Sequence, residues 1–369
     1  MFRMLARPAG ARRGGRHLYD SRVDELKSLG RYQIQGVLGK GAMGLVYDGL
    51  DPGLNRRVAI KTILTKKLDA EAARMIGVRF EREVRAVARL NHPNIVQVYD
   101  FGHEGDLAYI VMEYIQGREL LDCFEKKEPF DLRTIFRIMI EVLDALDFAH
   151  AAGVVHRDIK PANVMMDAAG HPKITDFGVA RVTDSDVPQA EATRVGTVVG
   201  TPAYMSPEQI QGQKVDGRSD IFSAGIIFYQ FLTGKKPFEG SQFALQQKIV
   251  MEDPVWPSTI TQLSPVIDRV VARALAKDPD HRYQTARAFA DSLKRILEGK
   301  APEDPNEKLP KAATPPPMPK TESSEAEREF WEEVKDSAEA EDFALYLEQF
   351  PHGEFAELAR QKMAALGGK

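Results

Sequence analysis

Gly39-Lys-Gly41-Ala-Met-Gly44-Leu-Val46 is a glycine-rich run lying between two stretches that read as β-strands. Without Cβ atoms, Gly39, Gly41 and Gly44 would let backbone amides approach phosphate oxygens. A G-x-G-x-x-G run alone is equally at home in a dinucleotide fold, where it opens a helix. Here it sits in a hairpin and is followed by Val58-Ala-Ile-Lys61, so dinucleotide binding is disfavoured. Further along, polar residues recur in compact groups: Glu83 within a helical stretch, His156-Arg157-Asp158 with Asn163 five residues on, Asp176-Phe177-Gly178, and Ser206-Pro207-Glu208.

In that order, over roughly residues 30–298, these motifs resemble the eukaryotic-type (Hanks-type) protein kinase family. The resemblance implies phosphoryl transfer from ATP, in which positioned cations matter more than covalent chemistry. It implies that Lys61 holds the α- and β-phosphates and that Glu83 fixes its ammonium; Glu83 is preferred to Glu81 by its spacing to Asn91-His92-Pro93. Asp176 and Asn163 carry the oxygen donors that Mg2+, or Mn2+ in its place, requires. Asp158 would accept the proton of the substrate hydroxyl. Lys160 resembles the lysine of serine/threonine kinases that touches the γ-phosphate, which implies serine or threonine in protein substrates. By the same resemblance adenine would lie between Leu38, Val46, Ala59 and Met165, against the backbone carbonyl of Glu113 and amide of Ile115. Thr201 would be structural, as would Asp220 and a Glu208–Arg282 ion pair, whereas Thr193 and Thr197 are the candidate regulatory phosphosites, with Arg157 and Arg181 as phosphate partners.

Two positions depart from the family pattern: Ser206 replaces the alanine of Ala-Pro-Glu, and Phe222 follows Asp220-Ile where tryptophan is usual. Neither removes a catalytic group. A pseudokinase scaffold, the rival reading, would lack the lysine, aspartate or asparagine, and all are present. A small-molecule kinase of the same fold is disfavoured by the intact segment from Gly200 to Glu208.

The elements that must position these groups are legible in the patterning. YQIQGVLG, LVYDGL and RRVAIKTIL alternate as short strands separated by Gly, Asp and Pro turns, predicting a small antiparallel sheet. Residues 69–90 carry Phe80, Val84, Val87 and Leu90 at helical spacing, predicting one long helix within the sheet region. IVQVYDFG and AYIVMEY read as two more strands, and helical periodicity dominates from about Leu132 to Leu297. The expected fold is therefore α+β and bilobal, with a β-rich N-lobe at 31–115 and a mainly helical C-lobe at 116–298.

Outside that domain, residues 1–30 form an arginine-rich extension interrupted by Pro and Gly, expected to be disordered rather than a transit peptide. Residues 299–325 are a proline-rich linker, read as a plain spacer. Residues 326–369 place Trp331, Phe343, Tyr346, Phe355 and Leu358 at helical intervals, predicting a small α-helical module that could recruit a protein partner. With 43% hydrophobic and 28% charged residues and a net charge of −4, no large field draws the chain to nucleic acid. No apolar run reaches the length of a transmembrane helix. Cys123 is the single cysteine, so no internal disulfide is possible and a reducing, cytoplasmic setting is expected, as in bacterial family members without a membrane anchor.

Overall fold

In this computed structural model the described residues are 26–40, 44–64, 80–105, 107–177 and 202–302, with 327, 331, 335, 343, 346, 347, 350, 353 and 355–366 nearer the C-terminus. The extension 1–25, Gly41, the segment containing Arg181, Thr193, Thr197 and Thr201, and most of the proline-rich stretch lie outside them. The chain divides into two compact units, Met1–Leu309 and Pro310–Lys369.

The first unit opens with a six-stranded antiparallel sheet in the order β1-β2-β3-β4-β6-β5. Its strands are β1 (Ser28–Leu29), β2 (Tyr32–Lys40), β3 (Leu45–Asp51), β4 (Arg56–Leu64), β5 (Val98–Glu104) and β6 (Leu107–Glu113). Burial alternates strictly along β3, as in a strand, and Leu45 and Tyr47 enter a core with Val58, Ile60 and Val111. Helix α1, described over residues 80–88, lays Phe80 and Val84 against the sheet, while Val87 joins the larger core with Leu90 and Ile95. Strand β5 begins three residues later than the apolar run IVQVYDFG suggests, because Ile95 instead forms a parallel bridge to Ile174.

A second sheet, not foreseen in the patterning, joins β7 (Gly117–Glu119), β8 (Val164–Asp167) and β9 (Pro172–Ile174). Its strands have three, four and three residues, too short for alternation to stand out.

Helices then take over: α2 (Leu120–Glu125), α3 (Leu132–Ala151), α4 (Pro207–Ile210), α5 (Gly217–Thr233), α6 (Gln242–Met251), α7 (Pro257–Ile260), α8 (Pro265–Ala274) and α9 (Ala286–Leu297). Asp131 starts α3 by accepting from the Thr134 amide at 3.0 Å, and Gly234 ends α5 in the left-handed region at φ 71°. The largest core gathers α3, α5, α8 and α9, with Phe228 set between Phe136 and Phe289. The first unit thus has the bilobal α+β form.

In the second unit, α10 (Ala356–Leu366) contributes Ala356 and Ala359 to a small core with Trp331, Phe343 and Tyr346. The Trp331 ring stacks on Phe355 at 5.0 Å, and the Tyr346 hydroxyl donates to the buried Glu327 carboxylate at 2.7 Å. A Cβ on Gly353 would lie 2.0 Å from that carboxylate, so the turn there needs glycine for space. Among the described residues no helix is long and apolar enough to cross a membrane.

Candidate active site

The loop carrying His156, Arg157 and Asp158 has no regular structure of its own, and Arg157 adopts a left-handed φ of 69° that favours glycine. A buried carboxylate holds it there. Asp220, in the first turn of α5, accepts from the amides of His156 at 2.8 Å and Arg157 at 2.7 Å, and pairs with His150 Nε2 at 2.7 Å. Gln209 of α4 adds a bond from Nε2 to the Arg157 carbonyl at 2.7 Å. Backbone strain at Arg157 is thereby balanced by charge-assisted bonds in a fully buried setting.

From this base the chemical groups converge. Lys160 Nζ lies 2.7 Å from Asp158 Oδ2, and Asn163 Nδ2 donates to the Asp158 carbonyl at 2.7 Å and to Oδ2 at 3.0 Å. That leaves the Oδ1 carbonyl oxygen of Asn163 as the atom suited to a hard cation. Asn163 is tied to the next segment through its own carbonyl, which accepts from the Thr175 amide at 3.0 Å. His156 Nε2 meets the Thr175 carbonyl at 2.8 Å, and its ring packs on Phe177 with centroids 4.6 Å apart. Asp176 sits between these anchored neighbours at φ 66°, and its Oδ1 pairs with Lys61 Nζ at 2.8 Å. Lys61, Asp176, Asn163 and Asp158 are thus linked by one continuous set of contacts between the lobes.

The sequence suggests Glu83 as the partner of Lys61. Here Lys61 pairs with Asp176, while Glu83 pairs with the neighbouring Arg82 at 3.0 Å, so the two carboxylates are neutralised by different cations. Behind Asp176 and Phe177 a cavity of about 20 Å³ is bounded by Val84 and Val87 of α1 and Ile110 and Met112 of β6.

The glycines play unequal parts. A Cβ on Gly44 would lie 1.9 Å from the Thr62 carbonyl oxygen, so this glycine is required by the approach of β3 to β4. Among the described residues, a Cβ on Gly39 would meet nothing within 4 Å, so no neighbour there requires glycine. Around the expected adenine position, Ala59 is buried with Val46 packed beside it, Leu38 is exposed, and Met165 lies in β8 opposite Lys173. Ile115 follows β6 and packs against the same cluster.

Two residues near these groups are absent from the motif reading. Glu119 ends β7 opposite Met165, and its carboxyl is pushed up first by desolvation, then by the Asp122 and Asp176 carboxylates. Lys173, on β9, reaches Glu113 at 2.9 Å. A pair spanning 60 residues leaves no local spacing signal. Further from the cleft, Arg282 and Glu208 form a bidentate ion pair at 2.7 and 2.8 Å.

The family model for the protein kinase domain matches residues 32–293. The serine/threonine-protein kinase PknB of Mycolicibacterium smegmatis is 42% identical over 281 residues, which is 74% of this chain and 44% of that protein. PknB of Mycobacterium tuberculosis is 41% identical over 282 residues, again 74% and 44%. A probable serine/threonine-protein kinase PknB of Bifidobacterium longum is 41% identical over 284 residues, 74% of this chain and 40% of that one. The match therefore spans less than half the length of these relatives. With the bilobal architecture and the motif residues in order, the chain belongs to the protein kinase family, in its eukaryotic-type serine/threonine branch.

Proposed function

We propose that this protein transfers the γ-phosphoryl group of ATP to serine or threonine hydroxyls of protein substrates. The observation that supports this most is the contact series Lys61–Asp176, Asn163–Asp158 and Lys160–Asp158, which gathers cations, oxygen donors and a carboxylate base in one cleft. Asp176 and Asn163 supply the hard oxygen donors that would hold Mg2+, with Mn2+ suited to the same set. When bound there, the cation offsets negative charge on the phosphate oxygens.

The protein's own groups do the rest. Lys61 supplies charge for the α- and β-phosphates. Asp158 Oδ accepts the substrate hydroxyl proton as the new P–O bond forms and the bond to the β–γ bridging oxygen breaks. Lys160, held against Asp158 at 2.7 Å, keeps an ammonium beside the transferring group. Adenine would rest between Leu38, Val46, Ala59 and Met165, with the Glu113 carbonyl and Ile115 amide at its edge. Activation-loop autophosphorylation at Thr193 and Thr197 would regulate transfer through charge-assisted bonds to arginine.

Mass spectrometry after incubation with ATP and Mg2+ tests both statements. The expected result is phosphate on Ser or Thr only, including Thr193 or Thr197. An unchanged intact mass, in a protein that binds nucleotide, would favour the scaffold reading. Phosphate confined to other sites would remove the loop from the account.

The second unit we assign to recruitment of a protein partner, supported by its self-contained aromatic core. Truncation after residue 310 is expected to leave the melting temperature of the kinase unit within about 2 °C and to alter substrate choice. A large loss of thermal stability would identify the unit as a cap on the kinase instead.

A further inference from the structure

Glu113 closes β6 in the N-lobe sheet, and Lys173 is the middle residue of β9 in the C-lobe sheet. Their side chains meet at 2.9 Å and are only 26% and 19% exposed. The second carboxylate oxygen of Glu113 lies 3.0 Å from the same ammonium and 3.3 Å from the Gln97 amide, so its direction is set from two sides. The Glu113 amide in turn donates to the Gln97 carbonyl at 2.9 Å. At the other end, Lys173 lies three residues before Asp176, on a strand whose Ile174 is bonded to Asn94 and Val96 on one side and lies in register with Val164 of β8 on the other.

We infer that Glu113 and Lys173 form an inter-lobe latch that sets the adenine-binding edge at a fixed distance from Asp176, making Lys173 a positioning residue for the nucleotide. The inference rests on the proposed ATP site. The physical reason is rigidity: a nucleotide spans from the hinge to the metal ligand, and its two ends are gripped by different lobes. An ion pair that stays formed in both the free and bound protein removes part of the ordering cost of binding. Partial burial protects it from the solvent screening that makes exposed pairs worth little. Lys173 touches neither end of the nucleotide site itself; it acts through Glu113 and through β9.

Calorimetric titration with Mg2+–ADP tests this independently of transfer. Lys173→Met and Glu113→Gln are each expected to weaken ADP binding about five- to tenfold, and the double variant to weaken it no further, as for two members of one pair. Lys173→Arg is expected to bind nearly as the unaltered protein does. In the transfer assay the change falls on KM for ATP, with kcat within about threefold. Melting temperatures of the variants separate misfolding from a local effect. Unchanged ADP affinity in both folded single variants, or additive losses in the double variant, would overturn the latch. Lys173-dependent ADP binding in a protein that transfers no phosphate would sustain it and refute the proposed activity.

Discussion

Asp158→Asn is expected to lower phosphoryl transfer by about 10²- to 10⁴-fold while leaving Mg2+–ADP affinity within about threefold. Asparagine keeps the size of aspartate, and bonds that do not use the Asp158 carboxylate hold the loop: Asp220 holds the amides at 156 and 157, and Asn163 Nδ2 bonds the backbone carbonyl of residue 158. What the substitution removes is the anionic oxygen beside Lys160 Nζ at 2.7 Å, the atom that would take the hydroxyl proton. Single-turnover transfer of radiolabelled phosphate to a peptide, with ADP calorimetry in parallel, separates the two effects. Transfer at the unaltered rate would remove Asp158 from the mechanism.

The other large effect concerns stability. Arg282 is fully buried against a Glu208 side chain that is 4% exposed, and each of its five N–H groups has an acceptor. Nη1 and Nη2 grip Glu208; Nε, Nη1 and Nη2 also reach the carbonyls of Ala276, Arg218 and Lys277 at 2.7 to 3.0 Å. Ser219 donates to the same carboxylate at 2.5 Å. Arg282→Ala would leave the buried Glu208 carboxylate without its cation and both bidentate bonds, at a cost of about 3–5 kcal/mol. The corresponding fall in melting temperature is about 10 °C. A fall under about 2 °C would show the pair to be dispensable. Replacing both partners by apolar residues recovers part of the loss, because no buried carboxylate is then left without its cation.

The same pair sets an acid limit. Desolvation alone would raise the Glu208 carboxyl, but the hydrogen bonds and charge of Arg282 outweigh it, with help from Ser219, and hold it below the ordinary carboxylate value. A depressed folded-state pKa contributes stability that is fully present above the unfolded carboxylate range. That contribution is lost as pH falls through the folded value.

The candidate catalytic set was legible because each member is flanked by neighbours that make a short motif: Lys61 by Val58-Ala-Ile, Asp158 by His156-Arg157, Asp176 by Phe177-Gly178. Strand β3 was legible because its length lets burial alternate. Strands β7 to β9 were not, since three or four residues cannot display a period. Gly44 was read as a phosphate-approach glycine, and the Thr62 carbonyl supplies a second and sufficient reason for it. Lys61 and Glu83 were matched by family spacing; in this structure Lys61 pairs with Asp176 and Glu83 with Arg82, contacts that no family spacing contains.

By itself, then, the amino-acid order determined which functional groups this protein owns and which short elements bear them, because side-chain chemistry and local periodicity act over a few residues. Which of those groups meet was decided only in three dimensions. The amides at 156 and 157 find their acceptor 64 and 63 residues away, and Lys173 finds Glu113 at 60. Contacts of that reach follow from the packing of whole helices and sheets, whose geometry no window of neighbouring residues contains.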